Sequence, residues 1–249
     1  MRVAFDVIGG AEKAVAIIEP KEGENPKEIA AEIMRRHKNV KLVLAKTSGR
    51  QGKFRTYELK IIAGSRDTEV LHKEHGMVFK LDLQYVYFSP RESQERQRIA
   101  NLVKPNERVL VLFSGAGPFA IAIAKKQPSA EIVAVDANKA AIKYADENRK
   151  LNRAWNVENV CVDAEKFESK EKFDRIIMPL PESAWEFLPH VKILAKKNAT
   201  VHLYAIGSDS KNLKDIDEKI PKGLKIVARE KVLPFAPHKW KIRLDMKVQ

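Results

Sequence analysis

Apolar positions in the first third of the chain alternate with polar ones at the spacing of short strands, and one stretch has the spacing of a helix. Strands are predicted over 3–10 and 14–18, a helix over 27–37, and two more strands over 41–45 and 56–62. This order predicts a small α/β unit that ends near residue 80.

The rest of the chain repeats a longer unit, in which an apolar strand is followed by a helical segment. Four such strands are predicted to begin near 108, 131, 157 and 173. A helix that starts at Ser89-Pro90 leads into the first of them. Because strands that alternate with helices form parallel sheets, we expect an α/β fold.

Each of the four predicted strands ends in residues that suit a bound nucleoside. Gly115 and Gly117 follow the first strand, where they let the backbone approach a ligand closely. Asp136 closes the second strand, where a carboxylate accepts hydrogen bonds from ribose hydroxyls. Asp163 follows the third strand, and the proline-bounded segment 178–181 ends the fourth. Singly, each also fits a tight turn, a helix N-cap or a strand end, but together they indicate one nucleoside site.

The glycine loop lacks two common phosphate-binding patterns. It has Pro118-Phe119 where a dinucleotide fingerprint needs a third glycine and a P-loop needs Gly-Lys-Ser/Thr. Glycines, an acid, an Asp and a short proline loop after four successive strands are the order typical of class I S-adenosylmethionine methyltransferases. An unrelated parallel α/β domain is the alternative, because any such sheet places ligands beyond the carboxyl ends of its strands.

Charge adds a polyanionic partner to this picture. Lys and Arg outnumber Asp and Glu by 46 to 33, which gives a formal net charge of +13. Such an excess favours nucleic acid, although surface lysines that promote solubility or heat stability produce the same composition. The segment 46–55 carries four basic residues and two glycines, and it suits either phosphate and base contact or a solvated hairpin.

Other features restrict the function less. No apolar stretch approaches the roughly 20 residues that span a bilayer, and no charged-then-apolar leader is present, so we expect a cytoplasmic protein. The single cysteine, Cys161, excludes a disulfide framework and a cysteine-based zinc site, and it is expected in the core. No metal site is predicted.

Ten segments spread over the chain resemble the archaeal and eukaryotic tRNA (guanine-37-N1)-methyltransferase family, which is related to the aminocarboxypropyl transferases of wybutosine synthesis. They are 5–9, 37–41, 44–49, 52–55, 72–76, 87–91, 95–96, 113–119, 148–152 and 232–237. No segment matches the family's further N-terminal domain, which recognises the outer corner of tRNA, so a short form is expected.

The resemblance implies a two-domain organisation. Residues 1–79 are expected to form a small α/β domain that contacts RNA, and residues 80–249 an S-adenosylmethionine-dependent methyltransferase domain. The second domain is expected to have a class I, Rossmann-like, seven-stranded sheet that ends in a hairpin of 225–229 with 240–248. The implied partner is the anticodon stem-loop of tRNA, and the protein is expected to be a monomer.

Matched position by position, the resemblance also implies roles for single residues. Glu95 corresponds to the general base that removes the proton of guanine N1, and Arg55 to the arginine that stabilises charge on O6. From its spacing alone, Glu95 fits a helix-surface partner for Arg91. The resemblance implies that Ser89 and Arg96 contact the methionine end of the cofactor and that Asp136 contacts its ribose. Asp163 and Ala164 correspond to residues at the adenine edge. The remaining implied cofactor contacts are Phe113, Gly115, Gly117, Ala137 and Pro179. RNA contacts are matched by Lys46, Lys53, Arg55 and Arg91.

Two positions depart from the family pattern. Val111 stands where the family has an Asp, and Pro179 where it has an Asn. Proline has neither a side-chain donor nor a backbone N–H, so the substrate or the transferred group is open to change. Aminocarboxypropyl transfer and a non-catalytic RNA-binding role are therefore the rival functions. Arg91 and the sequence Gly117-Pro118-Phe119 favour methyl transfer.

Overall fold

The first unit of the chain is a four-stranded sheet with one helix. The structure is a computed structural model, which describes residues 5–47, 58–208 and 214–249. Its strands are β1 (Phe5–Gly9), β2 (Ala14–Ile18), β3 (Val40–Lys46) and β4 (Leu59–Gly64), in the order β1-β2-β3-β4. β2 and β3 are parallel and the two outer pairs are antiparallel. The parallel pair requires a crossover, which helix α1 (Pro26–Arg36) supplies.

Local chemistry sets the start of α1. Pro26 occupies the first turn, where no N–H is needed, and the Asn25 side chain accepts a hydrogen bond from the backbone of Lys27. Ile29 and Ile33, one turn apart, are buried against the sheet. The helix therefore covers one face of the small sheet.

A separate hairpin of β5 (Glu69–Glu74) and β6 (Met77–Asp82) follows this unit. The boundary expected at 79/80 falls inside β6.

The larger unit is a seven-stranded sheet of order β12-β13-β11-β10-β7-β8-β9. Its strands are β7 (Arg108–Leu112), β8 (Glu131–Asp136), β9 (Val157–Cys161), β10 (Phe173–Met178), β11 (Ala195–Gly207), β12 (Leu224–Ala236) and β13 (Lys239–Val248). Five neighbouring strands, from β9 to β11, are parallel, and β13 runs antiparallel between β11 and β12. The sheet predicted from the resemblance is confirmed.

Helices pack against both faces of this sheet. They are α2 (Ser93–Leu102), α3 (Pro118–Lys126), α4 (Lys139–Leu151), α5 (Leu188–Leu194) and α6 (Lys214–Asp217). The helix predicted to begin at Ser89-Pro90 starts with a 3-10 turn, Pro90–Glu92, that leads directly into α2. Within the described ranges, no helix has the length and apolar content that crossing a membrane requires.

The expected C-terminal hairpin is present and is longer than predicted. Lys225 pairs with Lys247 and Arg229 with Leu244, and the pairing continues to Ala236. Pro234 lies within this extension, which is possible because β12 is an edge strand.

The expectation that Cys161 lies in the core is wrong, because this residue is exposed. It ends β9, which is the other edge strand of the sheet, so one side of the strand has no neighbour to cover it.

Candidate active site

A cavity of about 370 Å³ opens at the carboxyl edge of the parallel strands. This is the edge where ligands bind in open α/β sheets, and the volume is in the range of small-molecule sites. Nine of the predicted cofactor residues line it: Ser89, Arg96, Phe113, Gly115, Asp136, Ala137, Asp163, Ala164 and Pro179. Gly117 does not line it. Instead Gly117 takes a left-handed conformation, with φ of 82°, as the N-cap of α3.

The loop after β7 has a backbone that few sequences adopt. Gly115 has φ of 57°, and a Cβ added there would meet no atom closer than the Tyr87 carbonyl at 4.0 Å. Phe113 also has a positive φ, 55°, which is rare for a bulky residue and marks a strained position. Its ring packs edge-on against Phe187, with centroids 4.8 Å apart. The loop thus presents an open backbone to the cavity beside a fixed aromatic ring.

Two backbone N–H groups fix the carboxylate of Asp136. Gly115 donates to one oxygen and Asn138 to the other, each at 2.8 Å. Burial raises the pKa of Asp136, while these hydrogen bonds oppose that shift. Each carboxylate oxygen has a further acceptor site, which suits a diol such as the ribose hydroxyls.

Ser114 supplies a second indication of a polar ligand. Ser114 lines the cavity, and its buried hydroxyl has no hydrogen-bond partner among the described residues. A buried hydroxyl without a partner costs about 1–3 kcal/mol, so such groups are uncommon unless a ligand satisfies them. Together, Asp136 and Ser114 fit a nucleoside cofactor with several hydroxyl and amine groups.

At the end of β9, Asp163 begins a short 3-10 turn and accepts a hydrogen bond from the backbone of Glu165 at 3.3 Å. Ala164 beside it is buried against the sheet. Both residues lie on the same side of the cavity as Asp136, because β8 and β9 are neighbours.

Arg96 lines the cavity, but most of its donors are already used. Its guanidinium binds the carboxylate of Glu74 through two hydrogen bonds of 2.5 and 2.7 Å, and it donates to the carbonyl of Ser89. Burial raises the pKa of Glu74, but hydrogen bonds from His72 and Arg96 outweigh it and bring the pKa below its usual value. Glu74 was not predicted as a site residue, although it lies in one of the segments that carry the resemblance.

Glu95 is buried and does not line the cavity. One carboxylate oxygen accepts hydrogen bonds from the Tyr204 hydroxyl and from Arg243, both at 2.7 Å. The other oxygen faces Arg98 at 3.8 Å. Arg91 turns away and binds Asp6 at 2.6 Å, so the suggested pair of Arg91 with Glu95 does not form. The 3-10 turn before α2 changes the spacing on which that pair depended.

From Glu95, a network of hydrogen-bonded polar side chains extends across neighbouring strands of the sheet. Arg243 binds Asp245, which accepts a hydrogen bond from His202 at 2.6 Å. The other ring nitrogen of His202 lies 2.7 Å from Arg175, which in turn binds Glu107. Arg175 has only donors, so His202 accepts from it and is neutral. Burial lowers the pKa of His202 in agreement with this.

Two further charged residues line the cavity and were not predicted. Lys241 forms a buried ion pair with Glu92, with 2.8 Å between the ammonium nitrogen and the carboxylate oxygen. The same nitrogen lies 3.4 Å from the carbonyl oxygen of Pro179. Because β13 is antiparallel, its first residues lie at the edge where the parallel strands end, and Lys241 pairs with Ile206 there. No local motif marks Glu92, and Lys241 is marked only as one of the basic residues of the run 238–243.

A smaller cavity of about 60 Å³ adjoins the first, and both share the segment 86–89. Lys46 and Asp6 line it, so two elements of the small sheet reach the neighbourhood of the larger cavity. Lys46 binds Glu19 at 2.9 Å, and Arg91 binds Asp6 beside it. The other predicted RNA contacts, Lys53 and Arg55, lie outside the described residues.

This sheet order, with a nucleoside-type cavity at the ends of β7, β8 and β10, defines a class I methyltransferase domain. A family model described as the TRM5/TYW2 methyltransferase domain matches residues 70–231. The chain therefore belongs to the TRM5/TYW2 methyltransferase family.

Named relatives include both branches of this family. The chain is 39% identical to the tRNA (guanine(37)-N(1))-methyltransferase Trm5b of Pyrococcus abyssi, over 98% of this chain and 74% of that protein. It is 33% identical to the tRNA(Phe) (4-demethylwyosine(37)-C(7)) aminocarboxypropyltransferase of Methanocaldococcus jannaschii, over 88% of this chain and 90% of that protein.

Solved structures of relatives agree with the fold. The structure of aTrm5 in complex with tRNALeu superimposes with a TM-score of 0.87 at 30% identity, over 100% of this chain and 72% of that one. The structure of M. jannaschii TYW2 in complex with AdoMet superimposes with a TM-score of 0.72 at 27% identity, over 99% of both chains.

Proposed function

We propose that this chain is a tRNA methyltransferase that transfers the methyl group of S-adenosylmethionine to N1 of guanine 37, or of a tricyclic base derived from it. The observation that carries the proposal is the cavity, where nine residues matched to cofactor contacts meet at one edge of the sheet. The similarity to Trm5b of P. abyssi along almost the whole chain supports the same substrate.

The cofactor residues divide by position. Asp136 accepts hydrogen bonds from the ribose hydroxyls, and Asp163 and Ala164 contact the adenine edge. The Ser114 hydroxyl gains a partner when the site is filled, and Ser89 and Arg96 border the methionine end. When bound, S-adenosylmethionine supplies an electrophilic methyl group on a sulfonium centre.

The acceptor base needs a general base, and we assign this role to Glu95. Tyr204 and Arg243 hold one oxygen of its carboxylate, and the other oxygen, which faces Arg98 at 3.8 Å, is the one we assign to accept the N1 proton. Charge then moves toward O6 of the guanine, where Arg55 is the proposed stabilising cation. Lys46, Lys53 and Arg91 are the proposed contacts to RNA.

The proposed partner is the anticodon stem-loop of tRNA, which a monomer binds in the cytoplasm. We assign RNA contact to residues 1–79 and the transfer reaction to residues 80–249. The smaller cavity, which joins β1 and β3 to the segment 86–89, supports a binding surface that continues from the first unit into the second.

Aminocarboxypropyl transfer is the second candidate, because a relative of similar identity carries that name. Parallel reactions with S-adenosylmethionine labelled in the methyl group or in the carboxyl group distinguish the two. We expect only the methyl label in tRNA, and mass spectrometry of the nucleosides should identify N1-methylguanosine.

A transcript with adenine at position 37 is the control and should receive no label. Carboxyl label in tRNA would establish the second candidate. Binding of tRNA without any label transfer would indicate a non-catalytic RNA-binding protein.

A further inference from the structure

We propose that Lys241 is a catalytic residue of this site, whose ammonium group binds the carbonyl edge of the acceptor purine and stabilises the charge that develops there. This inference rests on the proposed function, because it assigns the acceptor base to one end of the cavity. Lys241 lies in the basic run 238–243, but only the fold brings it to the site.

The position of Lys241 in the sheet separates it from the nucleoside end of the cavity. Asp136 ends β8, whereas Lys241 begins β13, four strands away in the order β8-β7-β10-β11-β13. Neighbouring strands are about 4.8 Å apart, so their backbones are separated by roughly 19 Å along the sheet. A nucleoside held by Asp136 and Asp163 therefore leaves the end at Lys241 for a second reactant.

Burial of this cation needs an explanation other than stability. The side chains of Lys241 and Glu92 are 4% and 9% exposed. Replacing such a pair by apolar residues is often neutral or stabilising, since removing two charges from water carries a large free-energy cost. An ion pair retained in the wall of a cavity is more simply explained by what it contacts in the cavity.

The ammonium group also has capacity to bind a ligand. It has three N–H donors, and in the described part of the chain its oxygen acceptors are Glu92 at 2.8 Å and the Pro179 carbonyl at the long distance of 3.4 Å. The ring of Tyr204 lies 4.7 Å from the nitrogen. Pro179 itself has no side-chain donor, whereas the adjacent Lys241 ammonium group has three N–H donors.

The chemistry of the acceptor matches this donor. Lysine commonly binds O6 and N7 of guanine, both of which are acceptors. Loss of the N1 proton places negative charge on O6, and Lys241 would stabilise this charge as a second cation beside the proposed Arg55. Preferential binding of that charged form would accelerate methyl transfer without raising the affinity for S-adenosylmethionine.

The test measures methyl transfer in a single turnover, together with the affinity for S-adenosylmethionine by calorimetry. Lys241→Met should lower the single-turnover rate by roughly 100-fold, the scale for loss of one donor to a developing anion. Its affinity for the cofactor should stay within about 2-fold of wild type. Lys247→Met, at the exposed end of the same strand, is the matched control and should keep the wild-type rate.

A second variant distinguishes a loss of catalysis from a loss of stability. Lys241→Met alone leaves Glu92 buried and unpaired, whereas the double variant Glu92→Gln/Lys241→Met removes both charges of this pair. The double variant should melt near the wild-type temperature and remain as slow as Lys241→Met. If the double variant does not fold, or if either variant loses cofactor affinity tenfold or more, Lys241 has a structural or cofactor role and the inference is wrong.

Two results separate this inference from the proposed function. Wild-type protein that transfers no methyl group to tRNA would refute the function, and the inference with it. Active wild-type protein together with an equally active Lys241→Met variant would refute the inference alone.

Discussion

Asp136 shows how a single side chain can be prepared for a ligand by its own backbone. The N–H groups of Gly115 and Asn138 hold both carboxylate oxygens in fixed positions. The side chain therefore loses little conformational entropy when a diol binds. The same contacts hold the glycine loop against the end of β8.

We expect Asp136→Ala to weaken binding of S-adenosylmethionine by about 1–3 kcal/mol, because a buried hydrogen-bonding partner is lost. Isothermal calorimetry measures this directly. Glu131→Ala, at the exposed start of the same strand, is the control and should bind as wild type does. Unchanged affinity in Asp136→Ala would remove this residue from the site.

Glu95 is buried, and one of its carboxylate oxygens is occupied by Tyr204 and Arg243. Glu95→Gln retains a carbonyl oxygen for Tyr204 and Arg243 but cannot take a proton. We expect it to lower the single-turnover rate by about 100-fold or more, the scale of general-base loss, with cofactor affinity nearly unchanged. Glu230→Gln, which changes another carboxylate facing Arg98, should keep the rate. A fast Glu95→Gln variant would give Glu95 a structural role and direct attention to Glu92.

Among the elements, α4 fastens the hairpin of β5 and β6 to the larger sheet. The Asn148 side chain accepts from the backbone N–H of Lys80 and donates to its carbonyl, at 2.6 and 3.1 Å. One turn later, Asn152 makes the same pair of contacts to Val78. Two amides on one helix thus replace the neighbouring strand that β6 lacks.

Asn148→Ala should destabilise the protein by about 1–3 kcal/mol, since it leaves partly buried backbone groups of β6 without this partner. The measurement is the free energy of unfolding from urea denaturation. Lys150→Ala, on the exposed face of the same helix, should change that free energy by less than about 0.5 kcal/mol. A loss as small as that in Asn148→Ala would mean that water satisfies the edge of β6.

At the scale of the whole molecule, a network of hydrogen-bonded side chains that begins at Glu95 and ends at Glu107 links α2, β13, β11 and β10. His202 is at its centre, bound on one side to Asp245 and on the other near Arg175. Because a protonated His202 would face the Arg175 cation without an acceptor nitrogen, the folded protein favours the neutral ring.

This arrangement predicts a pH dependence of stability. Burial lowers the pKa of His202 in the folded protein, whereas in the unfolded chain it has its ordinary value of 6.5. Below pH 6.5 the unfolded state binds the extra proton, so the melting temperature should fall as the pH decreases from about 7.5 toward the folded pKa. His202→Gln does not titrate and should show a weaker fall between pH 7.5 and 5.5. An identical fall in both proteins would exclude His202 as its source.

Sequence reasoning succeeded where burial within an element and the order of elements decide the outcome. The central strands β7 and β8 contain unbroken apolar runs because both faces of a parallel sheet are covered, so their limits can be predicted. The carboxyl ends of parallel strands lie at one edge of the sheet, whatever contacts the side chains make. For this reason Asp136, Asp163 and Pro179 could be predicted together, and they line one cavity. Neither strand of the hairpin of β5 and β6 was predicted, and in β5 the residues from Glu69 to Glu74 are mostly polar.

Contacts between distant parts of the chain were decided by the tertiary structure. Lys241 meets Glu92 across 149 residues, and Arg243 meets Glu95 across 148. Both contacts depend on the antiparallel insertion of β13 between β11 and β12 and on its register, which set which side chains reach the cavity and which lie behind it. Local periodicity carries no information on that register, because it records only whether a residue is covered and not by which partner.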